Sequence, residues 1–275
     1  MKKVFALQIA NIVALVVTLL LNGLSNTDLF PNTVGDLGES RAVFFLPDGY
    51  VFAIWGLIYT GLLAYVTYQA LEKFRNGDVE KSDSVVDRIG WWFIVSSVAN
   101  SVWILLFVYD AVWLSTIVIT ALLISLIMIY VRLGIGVREV SMTEKWAVHV
   151  PFSIYLGWVS VATVANFATA LYTSGAVTGL IGIDSAMWAT IMMIVAAVLA
   201  FAMLYFRRDV AYALVVVWAT VGINARPFDT DLYSALSNLN ADLVNTTALS
   251  IAVAVGIGAS IAFLLSLRNR FSSSS

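Results

Sequence analysis

The sequence predicts an all-α fold, a polytopic bundle of about eight transmembrane helices. Three observations carry this prediction. Of 275 residues, 61% are hydrophobic and only 12% are charged, with a mean hydropathy of +0.92. A soluble domain carries about 25% charged residues, so this chain lacks the polar residues to cover a water-facing surface or to build a separate soluble domain. Apolar runs near the length that crosses a bilayer core, about 20 residues, recur along the chain. The basic residues between them fall almost entirely on one side.

The first segment spans 4–22 and follows Lys2 and Lys3. It has the flank of a signal peptide, but its apolar run is long and no small-residue cleavage site follows at "LNGLSNTD", so a retained helix is expected. The second, 50–70, opens through "LPDGY". The third (89–109) and fourth (111–131) are separated only by Asp110. At about 1.5 Å per residue a single helix there would be about twice too long, so the chain must turn near "VYDAV". The fifth is 146–172, the sixth 186–206, the seventh 210–224 and the eighth 247–267. The seventh is the shortest.

With eight crossings, Lys2, Lys3, Lys73, Arg75, Lys81, Arg88, Arg132, Arg138, Lys145, Arg207, Arg208, Arg268 and Arg270 share one side, and only Arg41 and Arg226 lie on the other. The positive-inside rule then places both termini in the cytoplasm. The expected location is a prokaryotic-type plasma membrane. The outer face is net acidic. Cysteine is absent, which excludes disulfides, thiol catalysis and thiolate metal sites. No ionisable residue sits near a span centre, and ion-coupled pumps usually need buried carboxylates or broken helices. No mid-helix lysine is available for a retinal Schiff base. No metal site, catalytic residue or nucleic-acid partner is expected.

Three segments carry aromatic stripes. Phe52, Trp55 and Tyr59 lie at i, i+3, i+7 in the second. Asn100, Trp103 and Phe107 repeat that spacing in the third. Tyr155, Trp158, Ala162 and Asn166 extend it in the fifth. Each set occupies one helical face. Counting depth from the span ends puts Trp55, Asn100, Trp103 and Asn166 in one outer-half layer, with Trp158 below them near mid-membrane. If the faces converge, they form an aromatic cavity that opens outward. Trp91, Trp92, Trp113, Trp146 and Trp188 sit at span ends, as does Tyr50 at the start of the second, where aromatic belts are ordinary. Asn100 and Asn166 are amides within hydrocarbon and need partners, either another helix or a ligand. The single histidine, His149, lies at the inner end of the fifth segment, where a structural or interfacial role is expected rather than haem ligation.

These motifs resemble the TspO/translocator-protein family, the tryptophan-rich sensory proteins. The opening of that family's second helix, Pro-Pro-Gly-Trp-Val-Phe…Val-Trp-x-x-Leu-Tyr, corresponds to "PDGYVFAIWGLIY" with Pro47, Gly49, Tyr50, Phe52, Trp55 and Tyr59. Its third-helix Asn-x-x-Trp corresponds to Asn100 and Trp103. Its fifth-helix Tyr-Leu-x-Trp-Val-x-x-Ala-Thr-x-x-Asn corresponds to Tyr155, Leu156, Trp158, Val159, Ala162, Thr163 and Asn166. The second proline of the opening is Asp48, and the proline usually before Tyr-Leu-x-Trp is Ile154, with Pro151 one turn earlier. The family's cholesterol motif is absent. The resemblance covers residues 1–172 as a five-helix core, followed by a linker at 173–185, three additional helices over 186–270 and a disordered tail at 271–275. It implies a pocket for porphyrins and related hydrophobic ligands, with Phe52, Trp55, Tyr59, Asn100, Trp103, Phe107, Tyr155, Trp158, Ala162, Thr163 and Asn166 as its residues. A porphyrin also carries anionic propionates, and Arg41 and Arg226 are the two cations on that side, so one or both are candidate carboxylate partners. No cofactor is required beyond a bound porphyrin or haem-related ligand.

In the eighth segment, Ala252, Gly256 and Ser260 form one small-residue ladder and Ala254, Gly258 and Ala262 another. Such faces allow close helix packing, either against the core or against a second protomer as a homodimer. The loop at 225–246, with Asp229, Asp231 and Asp242, is placed to cap the outer mouth. The leading expectation is a membrane receptor or carrier for tetrapyrrole-like ligands. An intramembrane enzyme degrading such ligands and a small-molecule permease are the alternatives. No general acid–base pair is visible for the former, and no inverted repeat for the latter.

Overall fold

The computed structural model describes residues 2–76, 84–175, 183–228, 233 and 241–272. Its described elements are helical. Eight of them are long apolar helices: α1 (Lys2–Leu24), α3 (Ile54–Asn76), α5 (Trp92–Val108), α6 (Val112–Leu133), α8 (Val150–Thr173), α9 (Ser185–Arg207), α10 (Val210–Ala225) and α11 (Ala241–Ser272). Three short helices, α2 (Val34–Glu39), α4 (Val85–Ile89) and α7 (Met142–Glu144), lie between them. Six of the eight are long and apolar enough to cross a membrane, and α5 and α10 are shorter apolar helices of 17 and 16 residues. The protein is therefore an integral membrane helical bundle, as expected.

Local chemistry sets the boundaries. The third predicted segment breaks at Gly90, whose φ of +62° suits glycine, so α4 and α5 are separate pieces. The turn after α5 falls at Asp110, in the left-handed region with φ +60°, where the hairpin was expected. Asp184 and Asp209 accept from the backbone N–H of Met187 and Tyr212 and so cap the starts of α9 and α10. Pro227 stops α10, because the residue before a proline is pushed out of helical backbone, and Arg226 is extended with ψ 129°. α8 is preceded by a π-helical turn over Lys145–His149. α11 begins earlier and ends later than the span read from hydropathy, and reaches into the expected tail.

The helices α1, α3, α5, α6 and α8 pack together, with α5–α6 as an antiparallel hairpin and α8 against both α6 and α3. α9 and α11 pack on α10, and α10 packs on α8 and on the 3-10 turn Gly49–Ala53. Two glycines allow this approach. A Cβ at Gly157 would lie 3.1 Å from Val215, and one at Gly222 only 2.1 Å from Val51. The later helices thus dock on the core. In the eighth segment, Gly258 meets Phe201 of α9, whereas a Cβ at Gly256 would meet nothing. Of the expected cap residues, Asp229 and Asp231 lie outside the described residues, and Asp242 is in the first turn of α11.

Buried polar side chains tie the bundle together, as they must where no water reaches. Asn11 of α1 donates to Tyr65 and Gln69 of α3. Asp209 accepts from Tyr130 of α6 at 2.8 Å and Ser153 of α8 at 2.7 Å, so one buried carboxylate links α6, α8 and α10. At the same end of the bundle Glu144 accepts from Arg88 and Tyr68.

Candidate functional site

The three aromatic stripes meet. Trp55 lies at the centre of the cluster, stacked on Tyr59 (5.5 Å, 24°) and on Trp103 (5.9 Å, 28°). Its edges meet Tyr155 at 6.1 Å and Trp158 at 6.3 Å. Phe52 sits edge-on to Trp158 at 5.7 Å, and Trp103 contacts Phe107 at 5.8 Å. Spacing of three and four residues along α3, α5 and α8 aligns these rings on facing sides.

They wall a chamber between α3, α5 and α8. Phe52, Trp55, Trp103, Phe107, Trp158, Ala162 and Asn166 line it. Tyr59, Asn100, Tyr155 and Thr163 do not; Tyr59 and Tyr155 pack against Trp55 instead. Asn100 serves as a helix tie: Asn22 donates to its Oδ1 at 2.9 Å, and it donates to the Tyr155 hydroxyl at 3.1 Å. Thr163 donates back to the Val159 carbonyl of its own helix. Asn166 lines the chamber while its amide oxygen is held by the hydroxyls of Ser115 and Thr116 at 3.1 and 2.7 Å.

The fourth side of the chamber is a covering segment. Val34, Leu37, Gly38, Leu46 and Pro47 line that side, and Val161, Ala165 and Thr169 of α8 complete the lining. The segment begins with α2, whose capping box pairs Thr33 with Asp36. The free space in the chamber measures about 40 Å³, against about 300–1,000 Å³ for ligand sites generally. The chamber is narrow, and its own rings take up most of it.

No charged residue is among those lining the cavity. Two of its wall residues carry polar groups left without partners. The indole N–H groups of Trp103 and Trp158 are buried and make no hydrogen bond, and neither does the buried Tyr59 hydroxyl outside the lining. Unpartnered buried donors are uncommon and costly. A ligand acceptor would satisfy them.

The two candidate cations differ in their surroundings. Arg41 is 5% exposed. It pairs with Asp110 and lies 5.9 Å over the ring of Phe107, a wall residue, with Nη1 unpartnered. Arg226 is 9% exposed, and its nitrogens are engaged. Nε donates to the Tyr233 hydroxyl at 2.9 Å, Nη1 to the Pro47 carbonyl at 3.3 Å, and Nη2 to the carbonyls of Gly38 at 2.9 Å and Arg41 at 3.4 Å. It faces the back of the covering segment, away from the role expected of it as a carboxylate partner. His149 is buried at the opposite end, with Nε2 at 3.6 Å from Glu144. Among the described residues no three His, Cys, Asp or Glu side chains come together as a metal-ligand set.

Sequence reasoning missed the partners of the buried amides. Asn22, Ser115 and Thr116 are polar residues in apolar runs, the same signal that marked Asn100 and Asn166. It also missed α2, although "NTVGD" spells Thr33-x-x-Asp36.

The family model for TSPO-like protein matches residues 8–262, a range that starts in α1 and ends in α11. No curated protein and no solved structure matches the chain.

Proposed function

The chain belongs to the TSPO-like protein family, and from that premise we propose that it is a membrane receptor or carrier whose aromatic chamber binds a flat, hydrophobic, porphyrin-type ligand. The observation that supports this reading best is the pair of unpartnered indole N–H groups, Trp103 and Trp158, in an uncharged wall of stacked rings. Flat aromatic ligands gain from offset stacking on such rings, and their acceptors would meet the free donors. At about 40 Å³ the cavity is too small for a porphyrin, so binding requires the covering segment and the rings of Phe52 and Trp55 to move. Arg41, beside Phe107 and with one free nitrogen, is the proposed partner of a ligand carboxylate. The proposed orientation keeps both termini cytoplasmic and puts the covering segment on the outer side.

Dark titration with protoporphyrin, followed by tryptophan quenching, tests the reading. Saturable quenching is expected. Arg41→Ala should weaken protoporphyrin binding while leaving its dimethyl ester unaffected. Equal effects on both, or none, would remove Arg41 from the site. The continuous stack Tyr59–Trp55–Trp103 favours one second reading, light-dependent breakdown of the ligand. Illuminating the same samples and assaying for a new product tests it.

A further inference from the structure

We propose that the later helices control access to the chamber, with Arg226 acting as a clasp on the covering segment. One side of the chamber is covered by residues of the stretch 34–47, and that stretch is held from behind by α10 and the chain just after it. Arg226 reaches three carbonyls along the stretch, at Gly38, Arg41 and Pro47. A guanidinium suits this task because its rigid fork presents five donors. Pro227 sets its position by ending α10 at Arg226 in extended backbone.

Other contacts reinforce the same seam. Gly222 accepts from the Asp48 N–H at 3.0 Å, and the Trp218 indole donates to the Val51 carbonyl at 3.0 Å. The Tyr233 hydroxyl donates to the Val43 carbonyl at 3.4 Å, and Phe44 packs on Phe228 and Tyr233 at 5.1 and 5.2 Å. Arg226 differs from these in kind. It is a buried cation whose partners among the described residues are neutral oxygens, and burial of a charge is costly without full pairing. If the covering segment lifts, water can replace these carbonyls at the guanidinium, so the covering position is held by a balance. Arg226 is a positioning residue: it touches the cover, while the cover touches the chamber.

The chain has no native cysteine, so one introduced thiol reports access directly. Ala165, a wall residue 7% exposed, becomes the probe as Ala165→Cys in the purified full chain. The rate of its modification by a small water-soluble thiol reagent is measured with and without Arg226→Gln. Leu126→Cys, at a fully buried position on α6, reports general loosening. The clasp predicts at least tenfold faster modification at 165 with Arg226→Gln, no change at 126, and a smaller acceleration with Tyr233→Phe. An unchanged rate at 165, or equal acceleration at both positions, overturns it. If Arg226→Gln does not fold, Tyr233→Phe decides alone: acceleration confined to 165 supports the clasp, and its absence removes it. No ligand enters this assay, so its failure leaves the porphyrin reading untouched, and failure of that reading leaves the clasp untouched.

Discussion

The Asn22–Asn100–Tyr155 chain separates a helix tie from a ligand contact, and its size can be worked out. Asn100→Leu removes two hydrogen bonds and keeps the volume near constant. In soluble proteins a buried polar group stranded in this way costs about 1–3 kcal/mol. Interhelical bonds in membrane proteins are weaker, averaging about 0.6 and reaching about 1.7 kcal/mol, because an unfolded helix in lipid also finds partners. The upper part of the second range applies here. Asn22, Asn100 and Tyr155 are 7%, 0% and 2% exposed, so no water replaces the lost bonds, and the one alternative for Asn22, the Thr18 carbonyl, is already taken at 2.9 Å. Asn22→Leu, Asn100→Leu and the double variant form a cycle. Unfolding by denaturing detergent in mixed micelles should give a coupling of about 1–1.7 kcal/mol between the two sites. Porphyrin affinity of the folded Asn100→Leu protein should change less than about twofold, well under the 1.4 kcal/mol of a tenfold effect. Additivity within about 0.3 kcal/mol would refute the tie. Loss of binding by a folded Asn100→Leu protein would return Asn100 to the ligand site.

Asp209→Asn should destabilise the bundle by about 1.5–3 kcal/mol in the same assay, since hydrogen bonds to a charged acceptor are the strong kind and this carboxylate serves Tyr130, Ser153 and the α10 cap. A change under about 0.5 kcal/mol would show that the three helices hold without it. At the start of the covering segment, the side-chain and backbone hydrogen bonds of Thr33 hold the Asp36 carboxyl below its ordinary value of 3.8. The folded pKa is depressed, so the capping contribution is present above pH 3.8 and is lost as pH falls through the lowered value. The carboxyl resonance of Asp36 should titrate below 3.8 and move towards it in Thr33→Ala; a midpoint at or above 3.8 in the parent would contradict the capping box.

The bundle was legible because hydropathy and charge report on the bilayer, an environment that acts on every residue alike. Eight segments and the turn at Asp110 followed from that alone. The aromatic stripes were legible as helical faces, and the faces do converge. Sequence spacing did not reveal the order of the layers. Tyr59, Asn100 and Tyr155 share the stripes of wall residues, yet they do not line the chamber, and neither does Thr163, which the family motif alone had suggested, because small differences in helix rotation decide which side chain meets the cavity. Arg226 was the largest surprise. Alone in a loop it read as a free cation, and only the docking of α10 on Pro47–Val51, through Gly222, turns it to the back of the covering segment. α2 was overlooked because a two-turn helix leaves no hydropathic period, although its cap was written in Thr33 and Asp36.

The central claim is that the ring chamber is the ligand site. Protoporphyrin titrated in the dark against Trp55→Phe, Trp158→Phe and Trp91→Phe tests it most directly, since Trp158 is 1% exposed in the wall and Trp91 is 62% exposed at a helix start. Saturable quenching that weakens in the first two variants and persists in the third is expected. Quenching that never saturates, or that weakens only with Trp91→Phe, would place the ligand outside the chamber.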